Sequence, residues 1–251
     1  MNSAICTIFF HNYYGQHEYW IRTLATKMTV PFILYYNVVE DSLYNSGDDF
    51  HWSADLPEMI SGSFLQKLVI RRSPNQGKDI GGKLVLIDSA LYETERSRYC
   101  VFLHDKISPH KAQNQEWKDK LFGIIEPAFA KKAITALDQD NKNGIIAGSD
   151  NIINEYDSGQ QAFVSNNRQI LMQLKTKYNL ETDDHRYVAG TMFWARTLPL
   201  LDFFSRYPPL DVRNTLERGN VMDDFAGTQT HSWERMLSWI FLAQGYNLKG
   251  L

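Results

Sequence analysis

Apolar residues along the chain fall into short continuous runs separated by helical stripes. Residues 4–10 (AICTIFF) form a continuous run of β-branched and aromatic residues, and Pro31 opens a second, PFILYYNVV. Such runs suit strands covered on both faces, as in a parallel sheet. Residues 66–72 and 99–104 (YCVFLH) predict a third and a fourth strand, and GIIAG at 144–148 predicts another. Between these runs, Trp20, Leu24 and Met28 recur at helical spacing, as do Ile80, Leu84, Ile87 and Leu91. Asp79 stands just before the second stripe as an N-cap candidate. Residues 115–125, with Trp117, Leu121, Ile124 and Ile125, predict a further helix, and Pro127 is expected to start the next. Residues 160–178 predict a polar-faced helix, and YVAGTMFWA at 187–195 a strand with a glycine inside it. TLPLLDFF and DVRNTLER predict two short helices, and Trp233, Met236, Leu237 and Ile240 one face of a last helix. Strands alternating with helices predict an α/β fold around a largely parallel sheet. No repeat or linker divides the 251 residues, so one domain is expected.

Composition narrows the function without naming it. Hydrophobic residues at 43% and charged residues at 22% are ordinary for a folded chain and argue against disorder. A formal net charge of −3 offers no basic field for a polynucleotide, so no nucleic-acid partner is expected. Cys6 and Cys100 both sit inside apolar runs and predict buried, reduced thiols. No signal-peptide pattern and no apolar run near the ~20 residues of a membrane helix is seen, so the expectation is a cytoplasmic protein.

In an open α/β sheet, ligands collect beyond the carboxyl ends of the strands. His11, Asn12, Tyr13 and Tyr14 follow the first predicted strand, and Asn37 the second. SPNQGKD follows the third, and His104, Asp105 and Lys106 the fourth. These types suit a nucleotide diphosphate: rings to stack, donors for ribose or base, and cations or backbone N–H groups for phosphate. In Asn75-Gln76-Gly77-Lys78-Asp79-Ile80-Gly81-Gly82, three glycines lie within six residues at a predicted helix start. That combination brings backbone and helix dipole close to an anion, or else makes a plain tight turn. His104-Asp105-Lys106 offers one carboxylate between two cationic types, a poor Mg²⁺ or Mn²⁺ site unless ligand phosphates complete it. Asp48-Asp49, Asp183-Asp184 and Asp223-Asp224 read as loop carboxylates. Glu234 lies about 100° around the last helix from Trp233. At the edge of the buried stripe it is either a carboxylate that desolvation suits to accept a proton, or, with Arg235, an ordinary pair on the outer helix surface.

The order of these motifs resembles the rhamnan synthesis protein F family. The residues that carry the likeness are Asn75, Gly77 to Gly81, His104 to Ser108, Trp117, Ala189 to Arg196, Gly227-Thr228 and Glu234-Arg235, with HNYYG after the first strand. Three departures stand out: Lys78 where the family has Arg, Gly82 where it has Pro, and Asp105 where Thr is frequent. The resemblance implies a GT-A-like, Rossmann-like fold with a mostly parallel sheet flanked by helices. It also implies transfer of a sugar from a nucleotide-sugar donor to a glycan acceptor in bacterial cell-surface polysaccharide assembly. Residues 1–110 would then form the donor half and 111–251 the acceptor and catalytic half. A UDP- or dTDP-linked sugar would be held by His11, Tyr13, Asn37, Asn75, Gly77, Lys78, Asp79, Gly81, His104, Asp105 and Lys106. Glu234, with Asp224 second, would be the base, and Thr191 and Trp194 would face the acceptor. No cofactor is certain. Mg²⁺ or Mn²⁺ stays a candidate, with Asp105 its only prospective ligand. A lipid-linked acceptor would bring the protein to the inner face of the membrane, although no helix is plainly built to lie on it. Two rivals stay open: a metal-dependent hydrolase of a phosphate or sugar, and a glycan-binding protein without turnover.

Overall fold

Strand and helix alternate as the apolar pattern predicts, in a computed structural model that describes residues 4–45, 60–105, 121–223 and 225–251. In chain order come β1 (Cys6–Asn12), α1 (His17–Lys27), β2 (Phe32–Val39), β3 (Leu65–Ser73), α2 (Lys78–Leu91) and β4 (Tyr99–His104). There follow α3 (Pro127–Gln139), β5 (Asn143–Ala147), the short strands β6 (Ile152–Asn154), β7 (Tyr156–Asp157) and β8 (Ala162–Phe163), and α4 (Arg168–Tyr178). The chain ends with β9 (Arg186–Val188), β10 (Phe193–Arg196), α5 (Thr197–Arg206), α6 (Pro209–Arg213), α7 (Gln229–Ala243) and β11 (Asn247–Gly250). The central sheet has the order β11-β5-β10-β4-β1-β2-β3. All its pairings are parallel except those of β10, which runs antiparallel between β4 and β5. The fold is α/β, with a mostly parallel sheet flanked by helices, consistent with a GT-A-like Rossmann-type architecture.

Alternating side chains feed two cores, one on each face of the sheet. Ile8, Phe10, Leu34, Tyr36, Val101 and Leu103 pack with Trp20, Leu24 and with Ala130, Ala133 and Ala136 of α3. Phe9, Tyr35, Cys100 and Phe102 face the other way, against Ile80, Leu84 and Ile87 of α2 and the apolar face of α7. With both faces covered, the strands have no need of a polar side, and this is why they read as continuous apolar runs.

Four expectations change. Residues 160–167 are not helical, because Asp157 accepts hydrogen bonds from the backbone N–H groups of Gly159 and Gln160 and turns the chain into the β7–β8 hairpin. The strand expected over 187–195 is broken at Gly190 (φ 78°) and Thr191 (φ 49°), so β9 pairs with β6 and only β10 enters the central sheet. The helix expected over DVRNTLER is confined to α6, which begins at Pro209. Asp79 does not cap α2: left-handed Gly77 occupies that position and Asp79 lies in the first turn. Residues 115–120, with Trp117, lie outside the described residues, and Gly123–Ile125 form a short 3-10 turn.

Candidate functional site

The carboxyl ends of β1 to β4 share one edge of the sheet, and a buried polar network fills it. Ser73 Oγ donates to Asn37 Oδ1 at 3.0 Å, and Asn37 Nδ2 lies 3.2 Å from His11 Nδ1. His11 is 3% exposed. Burial pushes its pKa down to about 4, with the Asp79 charge opposing and Lys83 and Arg213 assisting. At neutral pH it is therefore an uncharged hydrogen-bonding ring.

Beside it lies a group that the sequence reading passed over. Lys83 is fully buried on the inner face of α2. Its ammonium donates to Asp79 Oδ2 at 2.8 Å, to the Thr191 carbonyl at 2.9 Å and to Thr191 Oγ1 at 2.5 Å, and lies 3.3 Å from His104 Nδ1. Thr191 Oγ1 in turn donates to Asp79 Oδ2 at 2.6 Å. Burial depresses the Lys83 pKa, while the Asp79 and Glu234 charges work against that. For Asp79, burial raises the carboxyl, yet Lys83, His104 and the Thr191 hydroxyl together hold it well below the usual carboxylate range. Asp79 makes all of these bonds through Oδ2, and 22% of its side chain stays exposed. Its other oxygen is thus available to a ligand hydroxyl. Lys83 follows Asp79 by four residues and Ile80 by three, which places a lysine on the buried stripe. That spacing was the signal that would have found it.

The network also holds a strained turn. A β-branched residue at positive φ, as at Thr191, costs of order 1–3 kcal/mol and persists only where its surroundings impose it. The carbonyl and the hydroxyl of Thr191 are both tied to Lys83, and its N–H bonds the Val188 carbonyl. Its neighbour Gly190 donates its N–H to Glu234 Oε1 at 2.7 Å, and Arg235 pairs with Glu234 Oε2 at 2.8 Å. Arg235 also bonds Glu155, a 1%-exposed carboxylate that sequence reasoning missed, and stacks over the Tyr187 ring. Glu234 stands at the edge of the buried stripe, as expected, and is paired with its neighbour Arg235. It is held by a backbone N–H and a guanidinium, with 20% of its side chain exposed.

The glycine-rich turn serves packing. A Cβ at Gly77 would lie 2.3 Å from Leu216 Cδ1, one at Gly81 1.7 Å from the Gln76 carbonyl oxygen, and one at Gly82 1.8 Å from His11 Nδ1. These glycines let the start of α2 press against the protein's own atoms, rather than against an open cleft. The turn docks on residues 216–221: Gly77 N–H donates to the Glu217 carbonyl, Asn75 Nδ2 to Asn220 Oδ1, and Lys78 Nζ to the Val221 carbonyl. Asn220 then reaches Tyr13 Oη at 3.1 Å. Tyr13, Tyr14 and Tyr44 pack edge to face or tilted at centroid distances of 4.9–6.1 Å, a ring surface at the end of β1.

Three further expectations are corrected. Asp105 accepts hydrogen bonds from the N–H groups of Tyr13 and Tyr14 and from Asn12 Nδ2. Both of its oxygens fix the turn after β1, an arrangement that does not fit a metal ligand. Among the described residues, no three His, Cys, Asp or Glu side chains converge as a metal site would require. Trp194 is fully buried in the core, where its indole N–H donates to the Ile124 carbonyl at 2.8 Å, so it does not face an acceptor. Thr191, 1% exposed, spends its side chain on Asp79 and Lys83. Lys106 and Asp224, together with Asp48-Asp49 and Ser108, lie outside the described residues. No helix among the described residues is long and apolar enough to cross a membrane.

The family model of rhamnan synthesis protein F matches residues 9–246. No curated protein matches the chain.

Proposed function

The chain belongs to the rhamnan synthesis protein F family, whose name carries a role in rhamnan polysaccharide synthesis, and from that premise we propose that it is a cytoplasmic glycosyltransferase using a nucleotide-diphosphate sugar. The observation that carries the reading is the Asp79–Lys83–Thr191–His104 cluster at the carboxyl edge of the sheet, where α/β folds take their ligands. A carboxylate held ionised by a buried ammonium, with one oxygen left over, suits a hydroxyl of the donor's sugar or ribose. The tyrosine surface after β1 suits its base. Lys78 at the start of α2 contributes the charge that a departing diphosphate needs, with Lys106 the second candidate. Glu234, oriented by Gly190 and Arg235, takes the proton from the acceptor hydroxyl as that oxygen attacks the anomeric carbon and the nucleoside diphosphate leaves. No step is assigned to a metal, because the oxygens of Asp105 are already committed to the turn.

A thermal-shift panel of UDP- and dTDP-linked sugars tests donor binding. At ligand concentrations about 100 times Kd, stabilisation of about 2.7 kcal/mol is expected, a clear rise in Tm. Asp79→Asn is expected to abolish most of that rise. A panel in which no nucleotide or nucleotide sugar raises Tm would sink the reading.

A further inference from the structure

The two residues expected to face the acceptor are both buried, which leaves the acceptor without an assigned surface. A cavity of about 570 Å³ opens beside the β7–β8 hairpin, within the range of small-molecule sites. Its lining includes Phe163, Ser165, Asn166, Arg168, Gln169 and Met172, from the β7–β8 hairpin and the first turns of α4. We propose that this cavity binds the acceptor glycan, a neutral oligosaccharide, in the transferase reaction put forward above and resting on it.

Two features argue for a sugar. Phe163 and Met172 supply apolar surface for the C–H faces of a pyranose ring, while Asn166, Arg168 and Gln169 supply flat polar heads for its hydroxyls. All three polar residues are exposed, and among the described residues their side-chain heads make no hydrogen bond of their own. The cavity wall is also braced by its own contacts. Phe163 is wedged between Tyr156 and His185 at centroid distances of 5.6 and 5.1 Å. The buried Asn167 bonds Ser165, Asp223 and the Thr228 N–H, joining the cavity to the start of α7.

One feature argues for the acceptor in particular. Ser165, in the lining, donates to Glu155, Glu155 pairs with Arg235, and Arg235 pairs with Glu234. The cavity is therefore joined to the proposed base through Glu155 and Arg235. Glu155, 1% exposed, is the buried link in this path.

Saturation-transfer NMR and calorimetry with a short oligorhamnoside as probe test the proposal on the full chain. Wild type is expected to bind the probe. An Asn166→Ala/Gln169→Ala variant, altered only at exposed positions, is expected to bind it about tenfold more weakly or worse, the loss of one to two hydrogen bonds. Its Tm and its thermal response to nucleotide sugars should match wild type. Unchanged oligorhamnoside binding in the variant, or none in wild type, overturns the cavity assignment. Loss of the nucleotide response in wild type would instead overturn the transferase reading, so the two failures are distinguishable.

Discussion

Lys83→Met is expected to lower the unfolding free energy by about 3 kcal/mol in urea titration, the low end of the roughly 3–5 kcal/mol found when one partner of a buried ion pair is removed. Folded domains hold only about 5–15 kcal/mol in total, so this is a large share. Methionine fits the lysine stem, and the loss is therefore one of bonding rather than volume. Asp79 Oδ2 loses its ammonium, and the Thr191 carbonyl and hydroxyl lose the donor that holds them at positive φ. The low end applies because 22% exposure lets water screen part of the Asp79 charge. Asp79→Asn combined with Lys83→Met removes both charges, and should recover part of the loss, giving a coupling of order 1–3 kcal/mol in the double-mutant cycle. A single Lys83→Met cost below about 1 kcal/mol would contradict the role given to this lysine.

Acidification from pH 6.5 to about 4 is expected to cost about 3 kcal/mol of stability through His11 alone. The folded state keeps this ring neutral down to about pH 4, because the buried ring loses more hydration on charging than Asp79 returns. The unfolded chain takes up the proton from 6.5 downward. The unfolded state therefore binds more protons across this window, so stability is full above pH 6.5 and falls as pH drops. His185 and His231, also depressed by burial, add slope of the same sign. Asp79, with its depressed carboxyl, contributes stability that is lost only at lower pH, as the folded carboxyl itself takes up a proton. Urea titrations across this range should show a flatter profile in His11→Asn, in which asparagine can still meet Asn37. An identical slope in that variant would contradict the assignment.

Elements whose burial is set locally were readable in the sequence. β1, β2 and β4 are buried on both faces and appear as apolar runs, and α2 appears through its Ile80–Leu91 stripe. What escaped depends on partners far away in the chain. Asp79 meets Thr191 across 112 residues and Glu155 meets Arg235 across 80, and no local pattern carries such pairings. Trp194 sits in a motif that resembles an acceptor wall, yet strand alternation turns it into the core beneath β10. The glycines of the α2 turn were visible, but what they approach, Leu216, the Gln76 carbonyl and His11, is settled by docking. The edge where a ligand would collect was thus legible as a set of strand ends. The lysine beneath it was legible only as a spacing on the buried stripe, and its partners were not, because Thr191 lies 108 residues away.

Acceptor-dependent release of nucleoside diphosphate tests the central claim most directly. With a nucleotide sugar that raises the Tm and a short oligorhamnoside, wild type should release nucleoside diphosphate and extend the oligosaccharide by one sugar, as read by chromatography and mass spectrometry. Glu234→Gln should slow that release by about 10²–10⁴-fold while the donor still binds, as expected for loss of a base. Release at the wild-type rate in Glu234→Gln would remove it from the chemistry, and no release with any donor that binds would contradict the account as a whole.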